Sequence, residues 1–270
     1  MLRKAHPLGV EQSDGTLMNL FQSPPVTRYD LNFTIAGIKI RVHPLFWLMA
    51  LVFGASSSNI MKILVWIIVV FVSILLHELG HAMVMRAYGQ NSHIVLYLAG
   101  GLTIPESLPW GNRIAYVSLS RKQEIFVSLA GPATGFLFTI IMIIIVNFMG
   151  GSIFMSNVYG LIPFPYAYLP IGGIVVNEIV MTLIWVNIFW GLINLMPVYP
   201  LDGGNISRNL LTIIDPLNGG KNSLWVSAIA GGIVAIFGLL VMNSIYITYL
   251  FGMLAYQSYQ TVQGKVELRY

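Results

Sequence analysis

Runs of apolar residues at about 43–56, 60–85, 123–149, 173–196, 222–242 and 244–260 take up much of this 270-residue chain. A helical crossing of a bilayer needs about 20 such residues, so runs of this kind commit the chain to lipid before any motif is considered. Composition agrees. Only 9% of residues are charged and 56% are hydrophobic, whereas a soluble domain carries about 25% charged residues. The mean hydropathy is +0.77. The expected fold is an all-α polytopic membrane protein with about six transmembrane helices. The first run is short for a full span, and the last two are divided only by Met242-Asn243-Ser244.

The fourteen Lys and Arg residues follow topology and do not gather into a patch for nucleic acid. With the N-terminus in the cytosol and six spans, every one except Lys62 falls on the cytosolic side, a strong positive-inside bias. This places an integral, multi-pass protein in the cell membrane with both termini cytosolic. Cysteine is absent, which excludes disulfides, Cys-ligated metals and thiol nucleophiles. Residues 1–30, polar and Pro-containing, without the apolar core of a cleavable signal, read as a mobile cytosolic tail. Residues 31–262 form a single membrane-embedded domain, and 263–270 a second cytosolic tail. Alternation over Phe33–Ile40 suggests a strand. The segment from His93 to Ile104 reads as a short β-hairpin turning at Gly100-Gly101. It dips into the cytosolic side of the bilayer, where protein or a wet cavity must shelter its backbone. The charge-free segment 150–172 is expected as an outer loop.

Inside the second apolar run stands His77-Glu78-Leu79-Gly80-His81. On a helix, residues i and i+4 share a face, so both histidines can reach one Zn²⁺ and leave Glu78 beside its open position. In a soluble helix the same pattern can be mere polarity. Here three ionisable residues at membrane depth are costly, and a structural role needs one of them. At about 1.5 Å per residue, His77 lies roughly 25 Å beyond Ile60, toward the cytosolic end of the helix. A third ligand is needed. Glu106, in a polar loop, would suit a glutamate-ligand zincin, although solvent exposure explains it as simply. Asp202 is the better candidate. It follows a run in which Pro197 and Pro200 must end or unwind the helix, and a Gly203-Gly204 turn would let it approach a metal closely. Its alternative role is to cap a short helix at 205–214.

The helical HExxH together with Asn194-Leu195-Met196-Pro197-Val198-Tyr199-Pro200-Leu201-Asp202-Gly203 resembles the site-2 protease family of intramembrane zinc metalloproteases. The likeness spans roughly 31–215 and includes the strand before Arg41-Val42-His43-Pro44, the Gly100-Gly101 pair and Ala130-Gly131-Pro132-Ala133-Thr134-Gly135. It implies one Zn²⁺ per chain held by His77, His81 and Asp202, with Glu78 as general base. Asn194 is implied to lie near the site, binding substrate or satisfying backbone freed by Pro197. With no room here for a PDZ or CBS domain, the likeness points to a minimal-core member, regulated by a partner, oligomerisation or its N-terminus.

Other polar residues have plainer accounts. Gly131 and Gly135 form a small-residue step for helix packing, and Pro132 suits a first helical turn. His93, in the hairpin, could face the cleft and touch substrate. The expected activity is hydrolysis of a peptide bond in or near a transmembrane segment of a membrane-spanning protein, on the cytosolic side, as in regulated intramembrane proteolysis. A zinc transporter or a non-catalytic scaffold are the alternatives. A glutamate-ligand membrane protease would use Glu106.

Overall fold

The computed structural model describes residues 23–55, 59–98, 100–106, 108–110, 113–115, 117–158, 160 and 162–264. Strands β1 (Leu31–Ile35) and β2 (Ile38–Val42) form a hairpin across Ala36-Gly37. Both turn residues have positive φ, 49° and 79°, as a two-residue type I′ turn requires. Helices α1 (Pro44–Gly54) and α2 (Ile60–Ala87) follow, then β3 (Ser92–Tyr97), β4 (Gly100–Pro105) and the short pair β5 (Leu108–Trp110) and β6 (Arg113–Ala115). Helix α3 (Arg121–Phe148) precedes β7 (Ser152–Val158) and β8 (Ile162–Tyr168). The chain ends in α4 (Gly173–Asn194), α5 (Asp202–Ile214), α6 (Gly219–Leu240) and α7 (Ile245–Val262).

Among the described residues, four helices are long and apolar enough to cross a membrane: α2 and α3 with 28 residues each, α4 and α6 with 22 each. This is fewer than the six apolar runs suggest. Helix α1 has 11 residues, a rise of about 16 Å, half of a hydrocarbon core about 30 Å thick. Helix α7 reaches 18 residues only by including Gln257, Ser258 and Gln260. Periodicity alone does not separate a span from a shorter apolar helix.

The β content is larger than a single hairpin. Strands order as β1-β2-β3-β4 in one sheet, with β2 and β3 parallel. The N-terminal strands thus join the 93–104 hairpin across α1 and α2. Tyr97 pairs with Gly100, so the chain turns before the glycine pair, and both glycines lie within β4. Segment 150–172, expected as a loop, contains the antiparallel pair β7–β8.

Alternation along β3 sends Ile94 and Leu96 to one face of the sheet. There they join Ile38, Ile40 and Val42 of β2 with Val69, Val70, Ile74 and Ala82 of α2 in one buried cluster. The sheet therefore lies on α2. Buried contacts between α2 and α4 add a polar link, Asn187 Nδ2 donating to Ser73 Oγ at 2.9 Å. At the other end of the helices Lys62 pairs with Glu178 at 3.4 Å.

Residues 1–22 of the expected mobile tail, and 265–270 of the C-terminal one, lie outside the described residues. Residues 23–30 are tied down. Arg41 donates to Ser23 Oγ, Pro24 O and Pro25 O at 2.9, 2.9 and 3.3 Å and pairs with Asp30 at 3.0 Å. Burial pushes the Asp30 carboxyl up, but the hydroxyl and N–H of Thr27 and the Arg41 guanidinium outweigh it and hold it below 3.8. A depressed folded pKa means that this tie is fully present above the unfolded value and fades as pH falls through the folded one. Limited proteolysis near neutral pH should cut between residues 23 and 31 faster in Arg41→Ala than in the parent chain, and the parent should approach the variant only below about pH 4.

Candidate metal centre and active site

Helix α2 presents His77, Glu78 and His81 on adjoining positions of one buried turn, 3%, 5% and 7% exposed. Their ligand atoms lie within 4.8 Å of one another. Across from them Asp202 begins α5. Its Oδ2 is 3.1 Å from His77 Nε2 and 3.4 Å from His81 Nε2, while the two Nε2 atoms are 3.1 Å apart. Ligand atoms at about 2.0–2.1 Å from a tetrahedral zinc stand about 3.3 Å from each other, so the three atoms have the spacing of one face of such a site. Their chemistry fits as well. His81 Nδ1 lies 2.7 Å from Val127 O. A carbonyl only accepts, so Nδ1 carries the hydrogen, and in the neutral ring Nε2 turns a lone pair toward the carboxylate. Two acceptors facing each other in a buried site are the donor set that a cation between them satisfies.

Two close backbone approaches make this geometry available. A Cβ on Gly131 of α3 would sit 2.3 Å from His81 Nε2 and 2.7 Å from His77 Nε2. The position kept clear by this glycine is therefore the one on which the imidazoles converge. Gly80, inside the HExxH turn, returns the favour, since its Cβ would meet Ala130 O at 2.6 Å and Thr134 Oγ1 at 2.4 Å. Helices α2 and α3 thus cross at bare backbone on both sides. Gly131 therefore does more than the helix packing expected of it. Its partner Gly135 fits the packing account, since a Cβ there would come 3.3 Å from Asn187 Oδ1 on α4. Pro132 lies inside α3, eleven residues after its start, and its missing N–H leaves Ser128 O without the usual i+4 donor.

Asp202 is fixed by the segment before it. Helix α4 ends at Asn194, three residues ahead of Pro197. The chain passes through Pro200 and enters α5 at Asp202 itself, earlier than the expected 205. Gly203 and Gly204 form its first turn rather than a separate loop. A Cβ on Gly203 would lie 2.1 Å from Leu195 O, and one on Gly204 2.6 Å from Tyr199 N. Their lack of side chains lets the helix start press onto the turn that precedes it. At the first turn the carboxylate also faces the positive end of the helix dipole.

Glu78 is held by the sheet. Thr103 Oγ1 lies 2.7 Å from Glu78 Oε2, and a Cβ on Gly101 would fall 2.3 Å from Glu78 Cγ. The sequence marks a hairpin near the metal helix and the Gly100-Gly101 pair, but nothing in it makes Gly101 or Thr103 a neighbour of Glu78, since Thr103 looks like any other strand threonine.

The remaining candidates are elsewhere. Glu106 pairs with Lys39 at 3.2 Å and lies 3.9 Å from His93 Nδ1, so the carboxylate brought to the histidines is Asp202 and not Glu106. His93 occupies the face of β3 opposite to Ile94 and Leu96, away from α2. Burial, helped by Arg41 and Lys39 and opposed by Glu106, holds its imidazole below 6.5. The amide of Asn194 donates to Trp190 O, one turn back in α4, at 2.9 Å, and not to Ile193 O, the carbonyl that Pro197 deprives of its usual donor.

With this arrangement in view, comparison with known proteins is decisive. The family model of peptidase family M50 matches residues 65–239, from the metal helix through α6. The chain belongs to peptidase family M50. It is 32% identical over 224 residues to the zinc metalloprotease MJ0392 of Methanocaldococcus jannaschii, a match covering 80% of this chain and 55% of that protein. The chain spans about half the length of the curated relatives it matches. A solved structure, the site-2 protease from Methanocaldococcus jannaschii, aligns with a TM-score of 0.51 at 28% identity, covering 90% of this chain and 99% of that one. The family is one of zinc metalloproteases, and the His-Glu-His group is consistent with a zinc site.

The two glycines should fail differently. Gly131→Ala puts a methyl group between the imidazoles and should abolish bound zinc, measured per purified chain by atomic absorption. Gly101→Ala should keep zinc and lose activity, because its methyl group displaces Glu78 alone. Gly135→Ala should keep both.

Proposed function

We propose that this chain is an intramembrane zinc endopeptidase that hydrolyses a peptide bond in or near a transmembrane segment of a protein substrate, on the cytosolic side, as in regulated intramembrane proteolysis. The observation that carries the reading is a carboxylate, Glu78, fixed beside three converging ligand atoms from His77, His81 and Asp202. A transport site would have no use for a glutamate held in this way.

In this reading His77, His81 and Asp202 hold one Zn²⁺. Zinc bound there supplies a Lewis acid that polarises a peptide carbonyl and makes water a stronger acid. Glu78 takes the proton of the attacking water and returns it to the leaving amine, acting first as base and then as acid. The Val127 carbonyl fixes the tautomer and orientation of His81. Gly131 keeps the approach of α3 from filling the site.

The substrate must be extended to be cut, and β4 offers a place for it. No strand pairs with the outer edge of β4 among the described residues, so an extended peptide can add there by main-chain hydrogen bonds. The cytosolic placement rests on the distribution of Lys and Arg over all six apolar runs, with α1 and α7 each counted as a crossing. The Lys62–Glu178 pair at the opposite end of α2 agrees with it, since Lys62 is the one basic residue assigned to the outer side. Both termini are then cytosolic and the protein is an integral component of the cell membrane, with a membrane-spanning protein as its substrate.

Glu78→Gln should lower cleavage by about 10²–10⁴-fold, the range of general acid–base catalysis, with zinc still at one per chain. Undiminished cleavage would overturn the reading, and comparing membrane proteins that accumulate in cells carrying this variant should reveal the substrate. Asp202→Ala should lose zinc, whereas Glu106→Ala should retain it. Val95→Pro removes an N–H from the strand beside β4 and should reduce cleavage at constant zinc content.

A further inference from the structure

We infer that Thr103 is a positioning residue, fixing the Glu78 carboxylate in register with the open edge of β4. The inference rests on the endopeptidase reading above and deepens it. The Thr103 hydroxyl has one hydrogen and two acceptors in reach, Glu78 Oε2 at 2.7 Å and Glu78 O at 3.1 Å. The shorter contact is to the charged acceptor, which forms the stronger bond, so the hydrogen goes to Oε2. On the same face of β4, two residues earlier, Gly101 leaves room where a Cβ would fall 2.6 Å from Oε1. One oxygen of the carboxylate is therefore anchored. No hydrogen bond reaches the other, Oε1, among the described residues, which leaves its lone pairs available to take a proton.

The backbone of Thr103 faces the other way. Glu106 N–H donates to Asn91 O at 2.7 Å, which makes Asn91 and Glu106 a hydrogen-bonded pair at the end of the β3–β4 ladder. Such pairs alternate along antiparallel strands. With the register His93↔Ile104 and Val95↔Leu102, the main-chain groups of Ile104 and Leu102 turn toward β3. Those of Gly101 and Thr103 turn toward the open edge. Thr103 thus offers its N–H and C=O to an added strand and its hydroxyl to Glu78. A peptide seated on this edge is aligned with the base by a single residue, and one that binds out of register meets Glu78 at the wrong bond.

The test uses the full chain in detergent with fluorescently labelled casein as an unfolded probe substrate, comparing Thr103→Val, Thr103→Ser, Glu78→Gln and the parent. Thr103→Val should lower kcat about 10- to 100-fold, the scale of one hydrogen bond to a charged group. KM and zinc content should be unchanged, and Thr103→Ser should restore kcat. Infrared difference spectra against Glu78→Gln isolate the Glu78 carboxylate stretch without needing turnover. That band should shift in Thr103→Val and not in Thr103→Ser. An unaltered kcat or an unshifted band in Thr103→Val overturns the inference, as does a loss of zinc or a rise in KM in place of the fall in kcat. If neither the parent nor Glu78→Gln cleaves casein, the endopeptidase reading fails, and the carboxylate band alone decides the role of Thr103.

Discussion

Ionisable groups within a bilayer cost several kcal/mol each unless they find partners, and this chain places two histidines and a glutamate on consecutive turns of one span. Much of the surrounding architecture answers that cost. Val127 supplies a carbonyl for His81, Asp202 a counter-charge for both imidazoles, and Thr103 a hydroxyl for Glu78. The three partners come from α3, the start of α5 and β4. None lies within 20 residues of the motif in sequence, so the site exists only when the tertiary fold does.

Close approach is what allows these partners to reach. Where α3 meets the metal helix, Gly80 and Gly131 let backbone face backbone and imidazole. Where β4 meets it, Gly101 does the same for the glutamate. Where α5 begins, Gly203 and Gly204 press the helix onto the turn that follows α4. In a membrane interior the helices gain little from hiding apolar surface from one another, and tight van der Waals packing at small residues takes its place. The same packing that joins the helices therefore shapes the site.

The sequence displayed the metal helix plainly, because HExxH carries its own geometry: the i, i+4 spacing brings both histidines to one side without help from the fold. Asp202 was legible for a different reason, since Pro197 and Pro200 at the end of an apolar run must end or unwind the helix just before it. Span count was less legible. The apolar runs at 43–56 and 244–260 look like crossings in sequence, but the first forms a helix of only 11 residues and the second a helix of 18 diluted by Gln257, Ser258 and Gln260. The glycine pair was read as a turn because Gly-Gly is a turn signal. Its actual use, Gly101 lying bare against Glu78 and Gly100 against the Trp190 ring, leaves no local trace. His93 looked suitable by proximity in sequence, yet the two-residue period of the strand sends it to the far face. Each miss concerns a contact set by how elements stack, on which local pattern is silent.

His77 and Asp202 are separated by 125 residues in sequence, and α5 packs chiefly on α3 and α6 rather than on α2. A cation held between them is then a cross-link as much as a reagent. It closes a long loop whose ends are otherwise joined only through intermediaries, and such closures remove the most freedom from the unfolded chain when the loop is long. Binding free energy at a site assembled in this way is also folding free energy. An ion held there would fasten the C-terminal helices to the metal helix, and the protein's grip on its cofactor and the cohesion of its two halves would be one quantity.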